Sequence, residues 1–156
     1  MASKKLSAGL AMYRQTVGVF EILLVHPGGP FFKKKDEGSW SIPKGLVDDD
    51  EDLLAAARRE FTEETDVPTP AEGYTSLGEV QLKSGKVVRA WAFEGDCDPT
   101  AIVSNTFELE WPPRSGRIQT FPEIDRADFF DFAEARRKIN SAQAAFIDRL
   151  EEKLKS

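Results

Sequence analysis

Three glutamates, Glu60, Glu63 and Glu64, crowd the end of a strongly patterned segment, "GLVDDDEDLLAAARREFTEETDV", residues 45–67. A helix C-terminus already carries partial negative charge, so carboxylates gathered there repel it and one another. A divalent cation turns that cost into a binding site, because hard cations take oxygen ligands. Metal binding is therefore the first chemistry these residue types suggest.

A helix must position them. The spacing predicts one over about residues 50–65, with Asp48 and Glu51 in the D-x-x-E form of a capping box. Leu53, Leu54, Ala57 and Phe61 fall on one apolar face. At about 100° per residue from Leu53, Glu60 lies near ~340°, Glu64 near ~20°, Glu63 near ~280° and Arg59 near ~240°. Glu64 thus sits at the edge of the apolar stripe with Glu60 beside it. A plain solvated helix would carry these charges on the opposite side.

Pattern also places the other elements. Residues 6–13 and 17–25 read as strands, and "VGVFEILLV" suits a central one. Residues 40–42 make a possible short strand before Pro43. Residues 77–83 and 87–94 flank "SGK" as a hairpin. Residues 106–111 form another strand, with Glu108 and Glu110 on one side by period two. The prolines of "PPRSG" end it, since they cannot donate ladder hydrogen bonds. Two short helices close the chain, the first starting at Asp131 and the second near Asn140. A mixed sheet covered by helices on both faces, an α/β arrangement, is the simplest architecture.

The 156 residues are enough for one domain with a real core, so residues 1–156 read as a single unit. An apolar fraction of 40%, with 11 Phe and 3 Trp, argues against disorder. The net charge of −6 argues against a broadly basic nucleic-acid or membrane surface. Local basic residues or bound metal can still attract phosphates. Cys97 is the only cysteine, so no intrachain disulfide forms. "MASKKLSAG" is too short and polar for a secretory signal, and no run reaches transmembrane length. The cytoplasm is the expected location.

The segment resembles the box of the Nudix hydrolases, G-x5-E-x7-R-E-U-x-E-E-x-G-U, where U is a bulky apolar residue. Gly45, Glu51, Arg59, Glu60, Phe61, Glu63, Glu64 and Val67 match it. Asp66 stands where the box has its second glycine. The resemblance implies a Nudix-type α/β/α sandwich. It implies that Glu60, Glu63 and Glu64 ligate Mg²⁺ (or Mn²⁺), with the Gly45 carbonyl as a further ligand. It casts Arg59 and Glu51 as a supporting ion pair. The implied reaction is attack of water on phosphorus in a nucleoside diphosphate derivative, with displacement of a phosphate-containing leaving group. Glu60 or Glu63 can serve as base, or a glutamate outside the box; Glu108 and Glu110 are the candidates, with Glu79 a weaker one.

Substrate clues lie outside the box. "WSIPKG", residues 40–45, resembles the approach to the box in diadenosine-polyphosphate and diphosphoinositol-phosphate hydrolases of this family. Lys44 is a candidate phosphate contact, and Lys33, Lys34 and Lys35 form a basic run before it. In "FELEWPPRSGR", Trp111 can stack on a base and Arg114 and Arg117 can hold phosphates. The whole chain resembles small bacterial Nudix proteins described as predicted nucleotide pyrophosphohydrolases. The expected substrate is a nucleotide or polyphosphate, first a dinucleoside polyphosphate such as diadenosine tetraphosphate. The alternatives are a nucleoside triphosphate, ADP-ribose or a nucleotide sugar, and, in a different class, a non-catalytic nucleotide-binding module. His26 and Trp91 read as ordinary strand residues.

Overall fold

A computed structural model describes residues 6–155. Residues 1–5, which open the polar stretch judged too short for a secretory signal, lie outside the described residues, as does residue 156. Strand β1 (Leu6–Thr16) is the centre of a six-stranded mixed sheet. It runs parallel to β5 (Val87–Glu94) and antiparallel to β2 (Val19–Pro27). Strand β4 (Thr75–Gln81) flanks β5, and β8 (Ile124–Asp131) flanks β2. Short β3 (Lys44–Leu46) pairs with the start of β1. A separate ribbon joins β6 (Thr106–Glu110) to β7 (Ile118–Pro122).

The strand period of two divides the core. Ala8, Leu10, Met12 and Leu23 face helix α1 (Leu53–Thr65) with Ala56, Ala57 and Phe61. Ala11, Ile22 and Leu24 face α2 (Phe132–Lys138) and α3 (Ala144–Leu154), with Phe146, Ile147 and Leu150. Helices therefore cover both faces, and the α/β/α sandwich expected from the sequence is present. No helix among the described residues is long and apolar enough to cross a membrane.

Several boundaries differ from the sequence expectation, each for a local reason. Val17 and Gly18 form the turn between β1 and β2, not the start of a strand, because both hold positive φ (49° and 78°). Residues 40–42 form two isolated bridges, Val25 to Ser41 and Trp40 to Ile139, rather than a strand. Helix α1 starts at Leu53, not near residue 50. Asp50 is left-handed (φ 61°), and Asp52 is the cap, its side chain accepting the Ala55 N–H at 3.0 Å. Asp48 and Glu51 make a turn before it. Asp131 does cap α2, receiving the Glu134 N–H, while Asn140 caps a short turn ahead of α3. Strands β7 and β8 show no clean alternation. Strand β7 belongs to a two-stranded ribbon, and the charges of β8 lie on an edge strand, which a charged sequence protects from stray pairing.

Asp66 ends α1 in the left-handed region (φ 59°, ψ 26°), donating its N–H to the Thr62 carbonyl. This is the backbone geometry that a glycine at this box position supplies, and aspartate adopts it with some strain. Asp66→Gly is expected to stabilise the fold by roughly 0.5–1 kcal/mol, read from the urea midpoint.

Candidate active site

Burial of α1 sets the site. Its buried residues are Ala56, Ala57, Phe61, Glu64 and Thr65, so the apolar stripe carries a carboxylate into the interface with β3. Leu53 and Leu54 are only half-buried. Glu64 is 7% exposed, and its Oε1 accepts the Lys44 N–H at 3.1 Å. Burial pushes the Glu64 carboxyl up to about 8. The Lys44 N–H and ammonium oppose that rise, while Glu60 and Glu123 add to it. Glu60 is raised by burial too, against the pull of Arg59, with Glu63 and Glu123 adding.

Gly45 lies directly over Glu60. A Cβ there would overlap the Glu60 carboxylate, so the absence of a side chain makes the cradle. That obstacle is the end of a flexible side chain. Gly45→Ala is therefore expected to cut Mg²⁺ affinity by about 10- to 100-fold, measured by calorimetric titration, while changing stability by less than about 1 kcal/mol.

Arg59 organises the rest. It holds Glu51 with two parallel bonds of 2.8 Å, Nε to Oε2 and Nη2 to Oε1. Its Nη2 also reaches the Leu46 carbonyl, and its Nη1 reaches Glu60 at 2.8 Å and Glu63 at 3.3 Å. Arg59 draws the Glu51 carboxyl down to about 2, and the Glu51 bonds raise Arg59 in turn. The pair ties the acidic loop to the helix.

Among the described residues, no three His, Cys, Asp or Glu side chains are gathered closely enough to grip an ion in this arrangement. Arg59 accounts for that, since it holds both Glu60 and Glu63. The donor set nevertheless fits a hard divalent cation. Every donor is an oxygen, one carboxylate is buried at a cost that a cation would relieve, and Gly45 leaves the cradle open.

The carboxylates that act on Glu60 and Glu64 include one that sequence reasoning missed, Glu123. It occupies the joint between β7 and β8, and its carbonyl accepts the Gly28 N–H at 2.8 Å. No periodicity marks it, because it belongs to neither strand. Glu108 and Glu110 are exposed on β6, and Glu110 accepts the Arg114 N–H at 2.9 Å. Neither is among the groups that act on Glu60 or Glu64. Glu79 lies on β4 near Arg89.

Lys44 lines a recess of about 310 Å³ with Glu64, Phe32, Trp40 and Leu82. Burial and the neighbouring Lys86 lower its ammonium, against Glu64 and Glu60, so an anion there is welcome. Trp111 packs edge-on against Phe31, with ring centroids 5.3 Å apart. It lines a second recess of about 510 Å³ with Lys33, Gln119, Phe121 and Asp125. Arg114 and Arg117 are exposed on the loop beyond Trp111. Lys34 and Lys35 are exposed beside Lys33, and Cys97 is half-buried beside the α1 side of the core.

The NUDIX domain model matches residues 4–150. No curated protein sequence matches the chain. Among solved structures, a Caenorhabditis elegans Ap4A hydrolase in a binary complex is 23% identical, covering 97% of this chain and 98% of its own, at a TM-score of 0.65. The NUDIX domain of Shewanella oneidensis NrtR, complexed with ADP ribose, is 16% identical over 99% and 90%, at 0.67. A MutT protein from Methanosarcina mazei is 18% identical over the full length of both chains, at 0.62. At such identities the likeness is one of fold.

Proposed function

The chain belongs to the Nudix family, and from that premise we propose that it is a metal-dependent hydrolase of phosphoanhydride bonds, acting on a dinucleoside polyphosphate such as diadenosine tetraphosphate. The observation that carries the reading is the buried Glu64 carboxylate on the Lys44 N–H, with the Glu60 carboxylate directly against Gly45. Glu60, Glu63, Glu64 and the Gly45 carbonyl would hold Mg²⁺ or Mn²⁺. When bound, the ion supplies charge neutralisation at phosphate oxygens and a more acidic water.

The protein's own groups account for the rest. The Lys44 ammonium offsets phosphate charge beside the carboxylates. Glu123 takes the proton of the attacking water as its oxygen bonds to phosphorus and the bridging P–O bond breaks. The leaving phosphate departs with that bond's electron pair. Arg59 and Glu51 keep the loop and helix in register. Two recesses draw on the 122–124 segment, one lined by Ile124 and the other by Pro122, each with aromatic walls and one lysine. A substrate with an aromatic base at both ends of a phosphate chain matches that layout, with Trp111 stacking one base and Arg114 and Arg117 close to its phosphates.

Product identification tests this. The protein with Mg²⁺ is offered diadenosine tetraphosphate, each nucleoside triphosphate, ADP-ribose and a diphosphoinositol phosphate. ATP plus AMP from the first is the expected result. Preferred release of pyrophosphate from a triphosphate replaces the substrate assignment, and no turnover of any member overturns the hydrolase reading.

A further inference from the structure

His26, the second-last residue of β2, is fully buried and uses both ring nitrogens. Its Nδ1 lies 2.7 Å from Asp125 Oδ1, and its Nε2 lies 2.7 Å from the Lys35 carbonyl oxygen. A carbonyl only accepts, so Nε2 carries a hydrogen. The short Nδ1 contact with a carboxyl then needs a second proton, on the ring or on Asp125. The ring edge also meets Trp40, with centroids 5.3 Å apart. The β2–β8 register breaks just after this residue, so strand pairing does not secure the chain beyond Pro27.

The reach of its two bonds sets this histidine apart from an ordinary core residue. Lys35 belongs to the loop that brings Phe32 and Lys33 to the two recesses. Among the described residues, the His26–Lys35 bond is the only hydrogen bond tying the backbone of residues 29–35 to the rest of the protein. Asp125 lines the larger recess and lies two residues beyond Glu123. Trp40 lines the smaller one. One buried imidazole therefore touches the lysine-bearing loop and one lining residue of each recess.

We propose that His26 is a positioning residue for the hydrolytic reaction, a clamp that fixes the lysine-bearing loop against the segment carrying Glu123 and Asp125. Only the kinetic arm of the test rests on the hydrolase reading. The two bonds are separable by isosteres. An asparagine amide can replace Nδ1 and keep Asp125, and a glutamine amide can replace Nε2 and keep Lys35.

With Mg²⁺ and the panel member that wild type cleaves, His26→Asn is expected to raise KM about tenfold with kcat within about twofold, because the loop is released. His26→Gln is expected to lower kcat about tenfold with KM within about threefold, because the Glu123 segment is released. Tenfold is the effect of one net hydrogen bond. His26→Ala shows both effects. If all three variants retain wild-type kcat and KM per folded molecule, His26 supports folding only and the proposal fails. Amide hydrogen exchange gives a second readout that needs no substrate. His26→Asn is expected to speed exchange in residues 29–35 and spare 122–127, and His26→Gln to do the reverse. Unchanged exchange in both segments overturns the clamp. If wild type turns over no panel member, the hydrolase reading falls while the clamp stands or falls on exchange alone.

Discussion

Glu64→Gln is expected to lower kcat by at least about a thousandfold, a loss of about 4 kcal/mol in transition-state stabilisation, while making the metal-free protein more stable than wild type at alkaline pH. Both effects come from one buried carboxylate. Its folded value, about 8, lies above the ordinary glutamate value of 4.5. Between these values the native state holds a proton that the unfolded state has released, so wild-type stability falls as pH rises through that window. The contribution is fully present below 4.5 and gone above about 8. Glutamine keeps the oxygen that accepts the Lys44 N–H but has no charge to bury. The variant should therefore show a flatter stability profile and exceed wild type at pH 9 by roughly a few kcal/mol. Urea unfolding in chelator across pH 5–9 measures this, and turnover with Mg²⁺ measures the other half. A variant that turns over substrate like wild type would remove Glu64 from the site. A pH profile parallel to wild type would remove its buried charge.

Gly28→Ala is expected to cost about 3 kcal/mol and to slow turnover as well. The position comes directly after the irregularity at the end of β2. A Cβ there would overlap the Pro122 carbonyl, a backbone group that cannot rotate away. The Gly28 N–H also holds the Glu123 carbonyl at 2.8 Å. Making room thus displaces the carboxylate assigned as base, so kcat should fall together with the urea midpoint. Gly18→Ala is the matched control. Its Cβ would meet nothing within 4 Å, so the cost is only the strain of φ 78°, about 1 kcal/mol, and turnover is unaffected. Equal stability losses in the two variants would show that the contact with Pro122 is not tight.

Much of the sheet was legible because alternation reports burial. Leu23 and Ile22 lie on opposite faces as period two requires. The middle of α1 was legible for the same reason, and the placement of Glu64 at the edge of the apolar stripe corresponds to its observed burial. The start of α1 was not. Five acidic residues in a row, Asp48 to Asp52, offer several alternative caps, and in the fold Arg59 takes Glu51 while Asp52 caps the helix. Strands β7 and β8 were hidden because a ribbon and an edge strand need no apolar alternation.

The sequence by itself determined the family's box and with it the carboxylates that can hold a cation, since those residues sit within one helix and its preceding loop. Their geometry follows from about 1.5 Å of rise per residue and needs little from the rest of the chain. Only the tertiary structure decided which groups stand opposite them. Glu123, Lys86, Asp125 and His26 come from turns and strand ends far along the chain. No local period links them to the box. Glu123, Asp125 and His26 gather because β2 and β8 pair as neighbours, while Lys86 arrives separately on the turn between β4 and β5, where β5 pairs with β1.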